Sequence, residues 1–302
     1  MDHTHADGGS ETGKGKHLLI AIALNVGITV AQIAGGMISG SLSVLADAAH
    51  NASDAASLGI SYGAWRISKR TPDQHRTFGY RRAETIGALI NLTTLFVIAL
   101  YLLYEAGNRF LHPQDVGGWT MIIVGVIAAV EDALSVWILS KDRGSLNVKS
   151  AFLHMIADTM ATVGVIIGGV LILLFDITWV DPLITAAIAI YIFVHAYHEI
   201  RSAIALLMES APKDFDVDRM VAEMASMAAV EGVHHVHVWQ LDEGRTAVEA
   251  HVAVSERDLE AADRIRRKLK DMLCDRFDVA HATLEMEFAQ DVRHDRSLIQ
   301  QE

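Results

Sequence analysis

Apolar residues are concentrated in the first two thirds of the chain, in runs separated by short polar segments. A helix needs about 20 apolar residues to cross the hydrocarbon core of a bilayer, and six runs come near that length. We therefore predict six membrane-spanning helices, over Leu18–Ser39, Leu42–Ala64, Thr85–Tyr104, Trp119–Leu139, Ser150–Leu174 and Pro182–Leu206. A polar, His-bearing segment without a small-residue cleavage site precedes the first run, which we interpret as a retained span and not a signal peptide.

Beyond Pro212 the pattern becomes mixed and charged, which indicates a small soluble domain. Apolar residues recur at helical spacing from Phe215, and His234–Leu241 and Thr246–Val254, the second of which alternates, predict strands joined by a turn at Gly244. A charged helix over Leu259–Phe277 and a last strand over His281–Phe288 complete the order. This αββαβ order predicts a compact α+β domain.

The predicted organisation has four parts. Residues 1–17 form a His-containing tail, 18–208 an all-α six-helix membrane bundle, 209–290 the soluble domain and 291–302 a C-terminal tail.

Charged residues are segregated from the apolar runs, and their distribution predicts orientation. The apolar fraction is 51%, while the loop after the second run holds six basic residues against the single Asp73. By the positive-inside rule that loop is cytoplasmic, and an even number of spans places both termini there too. The single Cys274 allows no intramolecular disulfide, which suits a cytoplasmic domain. The net charge of −12 argues against a nucleic-acid partner.

Two His-x-x-x-Asp steps lie inside predicted spans, about a hundred positions apart: His50 with Asp54, and His154 with Asp158. Residues i and i+4 share one face of a helix, so each step supplies one nitrogen and one oxygen ligand on the same side. Ionisable residues within spans are costly and usually functional. The two steps together predict a four-ligand site of the kind that Zn²⁺ accepts, within the membrane. Imidazole with carboxylate suits zinc, cobalt or nickel, although affinity order alone favours copper.

Four segments resemble the cation diffusion facilitator family in the correct order. They are Ser43 to His50 with Asp54, Phe78 to Glu84, Leu146 to His154 with Asp158, and His234 to Trp239. The resemblance covers almost the whole chain. It implies a homodimeric divalent-cation/proton antiporter, zinc-transporting and not an enzyme, whose tail domain has a ferredoxin-like, metallochaperone-like fold. In that family the positions of His50, Asp54, His154 and Asp158 form the transport site, with cadmium or cobalt sometimes carried beside zinc.

The resemblance also implies a regulatory zinc site in the tail domain, formed by His234, His251 and His281. Glu285 and Glu287 are further candidates to complete its coordination sphere. His237 matches a recurrent family position, which is either a ligand or only structural.

The loop after the second span is where some family members hold another metal. Here Arg76 and Tyr80 replace histidines beside Asp73 and His75, and we predict that this site is absent.

Other features are open or negative. Asp132 stands where the family usually has asparagine, and is either a proton-relay carboxylate or a residue facing a wet cavity. Glu131 next to it has no assigned role. His195, His198 and Glu199 do not spell the zinc-protease motif, and we expect them at the cytoplasmic end of the sixth span. His3, His5 and His17 form either a loose metal-collecting arm or a disordered tail.

We call the predicted membrane site of His50, Asp54, His154 and Asp158 the cage. Metal binding requires neutral histidine and ionised aspartate, so protons compete with metal ions for the cage. We expect a proton-coupled zinc exporter of the bacterial inner membrane. The alternative is a membrane metal sensor, which needs only the ligands of the tail domain.

Overall fold

The computed structural model describes residues 11–139, 146–242, 244–255 and 258–288. Within these ranges it describes the side chains of all residues except 11–24, 58, 61, 65, 68, 135–155 and 157. The chain divides into two compact units. The first consists of Met1–Gly63 and Gly87–Ile200, and the second of Ala64–Ile86 and Arg201–Glu302.

Long helices build the first unit, in agreement with the six predicted spans. Within the described residues, three stretches are long and apolar enough to cross a membrane: Arg82–Leu111, Asp158–Phe175 and Val180–Leu207. Large apolar side chains such as Ile90 and Leu174 face outward, as lipid-contacting residues do. The helices are α1 (Glu11–Ser39), α2 (Leu42–Ser68), α3 (Arg82–Leu111), α4 (Gly118–Leu139), α5 (Leu146–Phe175) and α6 (Val180–Leu207).

The backbones of α4 and α5 approach each other through two glycines. A Cβ atom added at Gly118 would lie 2.9 Å from the carbonyl oxygen of Gly169, and one added at Gly169 would lie 3.2 Å from that of Gly118. Larger residues would force these helices apart, so the small residues fix their spacing. This contact holds α5, which carries Asp158, close against α4.

A buried carboxylate from the start of α6 caps the start of α2. Asp181 is fully buried and accepts hydrogen bonds from the Ser41 hydroxyl (2.6 Å), the Ser43 hydroxyl (2.7 Å), the Leu42 N–H (2.9 Å) and the Ser43 N–H (3.2 Å). The first N–H groups of a helix have no partner within it, and a negative charge there is favourable. Asp181 therefore fixes the residue at which α2 begins.

The second unit contains the predicted αββαβ domain. Its elements are α7 (Val217–Ala225), β1 (Val230–Asp242), β2 (Arg245–Val254), α8 (Leu259–Phe277) and β3 (Val279–Phe288). β2 pairs antiparallel with β1 and parallel with β3, so α8 is the crossover between two parallel strands.

One face of this sheet forms the core with the two helices. Val248, Ala250 and Val252 of β2 pack against Met220 of α7 and Leu269 of α8, and all five are fully buried. Successive residues of a strand point to opposite faces, so Glu249 and His251 belong to the other face. The histidines of the tail domain thus lie outside its apolar core.

Asp181→Ala should destabilise the membrane unit strongly, because each buried donor left unsatisfied costs about 1–3 kcal/mol. For a protein of this size we expect a loss of about 2–4 kcal/mol and a melting temperature lower by roughly 5–15 °C. Thermal unfolding of the purified protein in detergent measures this. Asp115→Ala, which removes an exposed carboxylate, is the matched control and should change little. Equal melting temperatures for both variants would contradict the capping role.

Candidate metal centres

The described ligands of the membrane site come from α2 and α5. The Nε2 atom of His50 lies 2.9 Å from Oδ1 of Asp158 and 4.0 Å from Oδ2 of Asp54. The ligand atoms of these three residues all lie within 4.8 Å of one another. The side chains of His50 and Asp158 are only 7% and 12% exposed, whereas that of Asp54 is 43% exposed. An ion can therefore reach the site from the side of Asp54 and be bound by the buried side chains of His50 and Asp158.

His154, the fourth predicted ligand, lies on α5 one turn before Asp158, and its side chain is outside the described residues. His3 and His5 of the predicted N-terminal arm, and the side chain of His17, are outside them as well.

The close contact between His50 and Asp158 needs a proton. An imidazole nitrogen and a carboxylate oxygen 2.9 Å apart share a hydrogen, and because an ionised carboxylate is only an acceptor, the imidazole nitrogen carries that hydrogen when Asp158 is ionised. A metal ion needs the lone pair of that same nitrogen. Proton and metal therefore exclude each other at Nε2 of His50.

A polar network buried beside the cage connects α1, α2, α4 and α5. Gln32 donates to Asp47 (2.6 Å) and accepts from Asn51 (3.0 Å), while the Thr162 hydroxyl lies 3.5 Å from Asp47 and 2.9 Å from Asp132. Buried polar groups without partners are costly, and this network supplies those partners. Asp132, whose role the sequence left open, is thus linked to Asp47 through Thr162.

Aromatic contacts extend from the cage along α6. The ring of His50 meets Tyr191 edge-on at 6.1 Å between centroids, and Tyr191 stacks on His195 at 6.4 Å. His198 contacts the carbonyl oxygen of Val194 in its own helix. Nothing in the sequence indicated that Tyr191 would contact the predicted metal site.

The tail domain brings a second group of ligands together, on the sheet face away from the core. His234 and His251 are direct partners across β1 and β2. Glu287 of β3 reaches both, with 3.2 Å from Oε2 to Nε2 of His234 and 2.7 Å from Oε1 to Nδ1 of His251. Glu285 lies 3.5 Å from the other nitrogen of His251. Two imidazoles and a carboxylate at these distances suit a borderline divalent ion.

His281 is on the same strand as Glu285 but four residues earlier. It pairs with Ala247 in the register, whereas Glu285 pairs with His251. At about 3.3 Å per residue this separates their Cα atoms by roughly 13 Å. The structure therefore does not place His281 within the His234–His251–Glu287 group, and its exposed ring instead meets Phe78 edge-on.

In the loop after α2, hydrogen bonds already engage both oxygens of the Asp73 carboxylate. The Tyr80 hydroxyl donates to one, and the backbone N–H groups of His75 and Arg76 donate to the other, each at 2.8 Å. These bonds, that of Tyr80 foremost, hold the pKa of Asp73 below its usual value. The guanidinium of Arg76 also lies 4.8 Å from the centre of the Tyr80 ring. The absence of a loop metal site stays a prediction, which these contacts favour.

Comparison with known proteins identifies two family domains in the chain. The cation efflux transmembrane domain matches residues 18–208, and the cytoplasmic domain of cation efflux proteins matches residues 212–289. The chain therefore belongs to the cation efflux, or cation diffusion facilitator, family.

Relatives of known name are similar over nearly their whole length. A "cadmium, cobalt and zinc/H(+)-K(+) antiporter" of Bacillus velezensis is 31% identical over 99% of this chain and 95% of its own. The metal cation efflux system protein CzcD of Cupriavidus metallidurans is 33% identical, over 95% and 90%. The zinc transporter ZitB of Escherichia coli is 31% identical, over 95% and 93%. The solved metal-bound C-terminal domain of the Cupriavidus CzcD transporter is 26% identical over 24% of this chain and 99% of its own, with a TM-score of 0.23.

Asp54→Ala and Asp158→Ala should each weaken zinc binding at the membrane site by more than the 10–100-fold typical of losing an outer-shell partner. Each change removes a carboxylate oxygen within 4.0 Å of the His50 nitrogen. Calorimetric titration of the purified full-length protein measures the affinity, with Asp115→Ala as control. Wild-type affinity in either variant would contradict the site.

Proposed function

We propose that this protein is a proton-coupled exporter of divalent metal ions, with Zn²⁺ as its main cargo. The observation that carries the proposal is the 2.9 Å contact between Nε2 of His50 and Asp158, a position that holds either a proton or a metal ion. Antiport follows when a single site is open to each side in turn and must carry one or the other.

The energy requirement favours proton coupling. Moving a divalent ion outward against 100 mV costs about 4.6 kcal/mol, since each charge costs about 2.3 kcal/mol. One proton entering through the same site offsets about half of that electrical term, and a pH gradient adds to it. The relatives named as zinc/H(+)-K(+) antiporters support the same exchange.

We further propose a homodimer of the bacterial inner membrane with both termini in the cytoplasm. The basic loop between α2 and α3 supports that orientation. The match to the cytoplasmic domain of cation efflux proteins supports the proposal that the tail domains of two chains pair in the dimer. The His234–His251–Glu287 group serves as its regulatory zinc site, with Glu285 next to it. We also propose that the membrane domain ends near residue 208 and the tail domain near residue 290.

Zinc added to proteoliposomes that contain the wild-type protein should drive proton movement in the opposite direction. Internal pH and zinc dyes measure both fluxes, in turn with cadmium, cobalt, nickel, manganese and iron. Asp158→Ala should abolish both fluxes and Asp115→Ala neither. Zinc flux without proton flux would overturn the coupling. Absence of any flux would favour the alternative, a metal sensor.

His50→Asp should keep transport but widen selectivity, because oxygen still ligates while a borderline nitrogen donor is lost. We expect manganese and cadmium flux to rise relative to zinc flux by several-fold in the same assay. Unchanged selectivity would mean that His50 does not ligate the cargo.

The isolated fragment from Pro212 onward should fold without metal, because its core lies on the face away from the histidines. Zinc at a hundred times its dissociation constant adds about 2.7 kcal/mol to the state that it prefers, so the fragment should melt at a higher temperature with zinc. His234→Ala with His251→Ala should abolish that increase, whereas His281→Ala should retain it. A wild-type fragment that zinc does not stabilise would exclude the tail site.

A further inference from the structure

Two histidines on the same sheet face remain outside both metal groups. The Nε2 atoms of His235 and His237 lie only 3.3 Å apart. Val236 and Val238 point into the apolar core, so His237 points to the opposite face. The ring of His235 lies on that face too, 4.7 Å from the ring of His251 between centroids.

A bulge in β1 creates this arrangement. The register between β1 and β2 shifts between His234 and His237, and His235 has a φ of 49°, in the left-handed region. A residue with a side chain rarely adopts that conformation, and its cost at a defined site commonly accompanies function. Bulges redirect side chains, and this one places consecutive histidines on one face of the strand.

The separation of the two nitrogens matches that of two ligands of one ion. Zn–N bonds of about 2.0–2.1 Å in a tetrahedral site hold two imidazole nitrogens about 3.3–3.4 Å apart. The same distance is long for a hydrogen bond, for which about 2.7–3.2 Å is typical. The two rings thus have the spacing of a metal chelate.

A carboxylate stands opposite this pair. Glu249 is the direct partner of His237 across β1 and β2, and its side chain is exposed. His237 and Glu249 both line a cavity of about 320 Å³, together with Glu209, Val238 and Trp239. Side chains directly opposite each other in antiparallel strands have Cβ atoms about 4.5–5.5 Å apart, so the Glu249 carboxylate is within reach of the His237 ring.

We propose that His235, His237 and Glu249 form a second divalent-cation site in the tail domain, for Zn²⁺ or another ion that accepts two imidazoles and a carboxylate. Water or a further ligand completes its coordination from the exposed side. The site is separate from the His234–His251–Glu287 group, to which the proposed function assigns an ion of its own, and the ring of His251 contacts the rings of both His234 and His235.

Counting bound zinc in the purified full-length protein tests this proposal. His235→Asn removes the imidazole and keeps a residue that tolerates the left-handed conformation, so the bulge is retained. Equilibrium dialysis with elemental analysis should find one zinc ion fewer per chain in His235→Asn than in the wild type. His237→Gln should lose the same ion, and Glu249→Gln should bind it at least tenfold more weakly. Thr283→Ala, an exposed polar change on β3, is the control and should lose none.

Glu287→Ala separates the two tail sites. It should lose a different ion, so that the double variant His235→Asn/Glu287→Ala binds two fewer zinc ions than the wild type. If each single variant loses one ion and the double variant also loses only one, the two groups form a single shared site, which would overturn the proposal. Full zinc content in both His235→Asn and His237→Gln would overturn it as well. Failure of Glu287→Ala alone to lose an ion would count against the proposed regulatory site and not against this one.

Discussion

The hydrogen bonds between Asp181 and the first turn of α2 determine where that helix starts, and the position of the cage depends on it. Each residue of an α-helix turns the chain by about 100°. If the next residue of the chain were bound to Asp181 instead, α2 would be rotated by that angle, and His50 and Asp54 would point away from α5. Capping by a fully buried carboxylate of another helix prevents that displacement. The glycine contact between α4 and α5 has the corresponding effect on the other side of the site, since α5 carries Asp158.

Burial of polar groups is the second constraint on the membrane unit. Water is absent from the bilayer core, so polar side chains there must find partners in the protein. Gln32, Asp47 and Thr162 satisfy one another a turn away from the cage, and the proton between His50 and Asp158 does the same for the ligands. A metal ion that binds there must replace that proton, so the hydrogen bond between His50 and Asp158 links metal binding to proton release.

The hydrophobic pattern predicted the fold well because its cause is local. Charged helix α8 was predicted with the bounds observed, and three strands were found in the predicted order. β1 begins at Val230, four residues before the prediction, in a part of the strand that register shifts make irregular. The two His-x-x-x-Asp steps were likewise visible in the sequence, whereas contacts between helices, such as that of Thr162 with Asp132 and that of Tyr191 with His50, were not. Such contacts arise only from tertiary packing.

In the tail domain, too, the candidate ligands were visible in the sequence, but which of them lie together was not. Nothing in the spacing of His281 indicated that the parallel register of β3 would pair it with Ala247 and bring Glu287 to His234 instead. The sequence did not indicate His235, since regular alternation puts adjacent residues on opposite faces, and only the bulge brings its ring and that of His234 next to His251.

That irregular strand also bears on solubility. β1 lies at the edge of the sheet, where unpaired backbone groups can recruit a strand from another molecule and begin aggregation. Its three register shifts bend this edge away from the straight form that a foreign strand requires, and the carbonyl of Ser210 already occupies the N–H of Gln240. The irregular edge therefore disfavours edge-to-edge pairing of tail domains through β1.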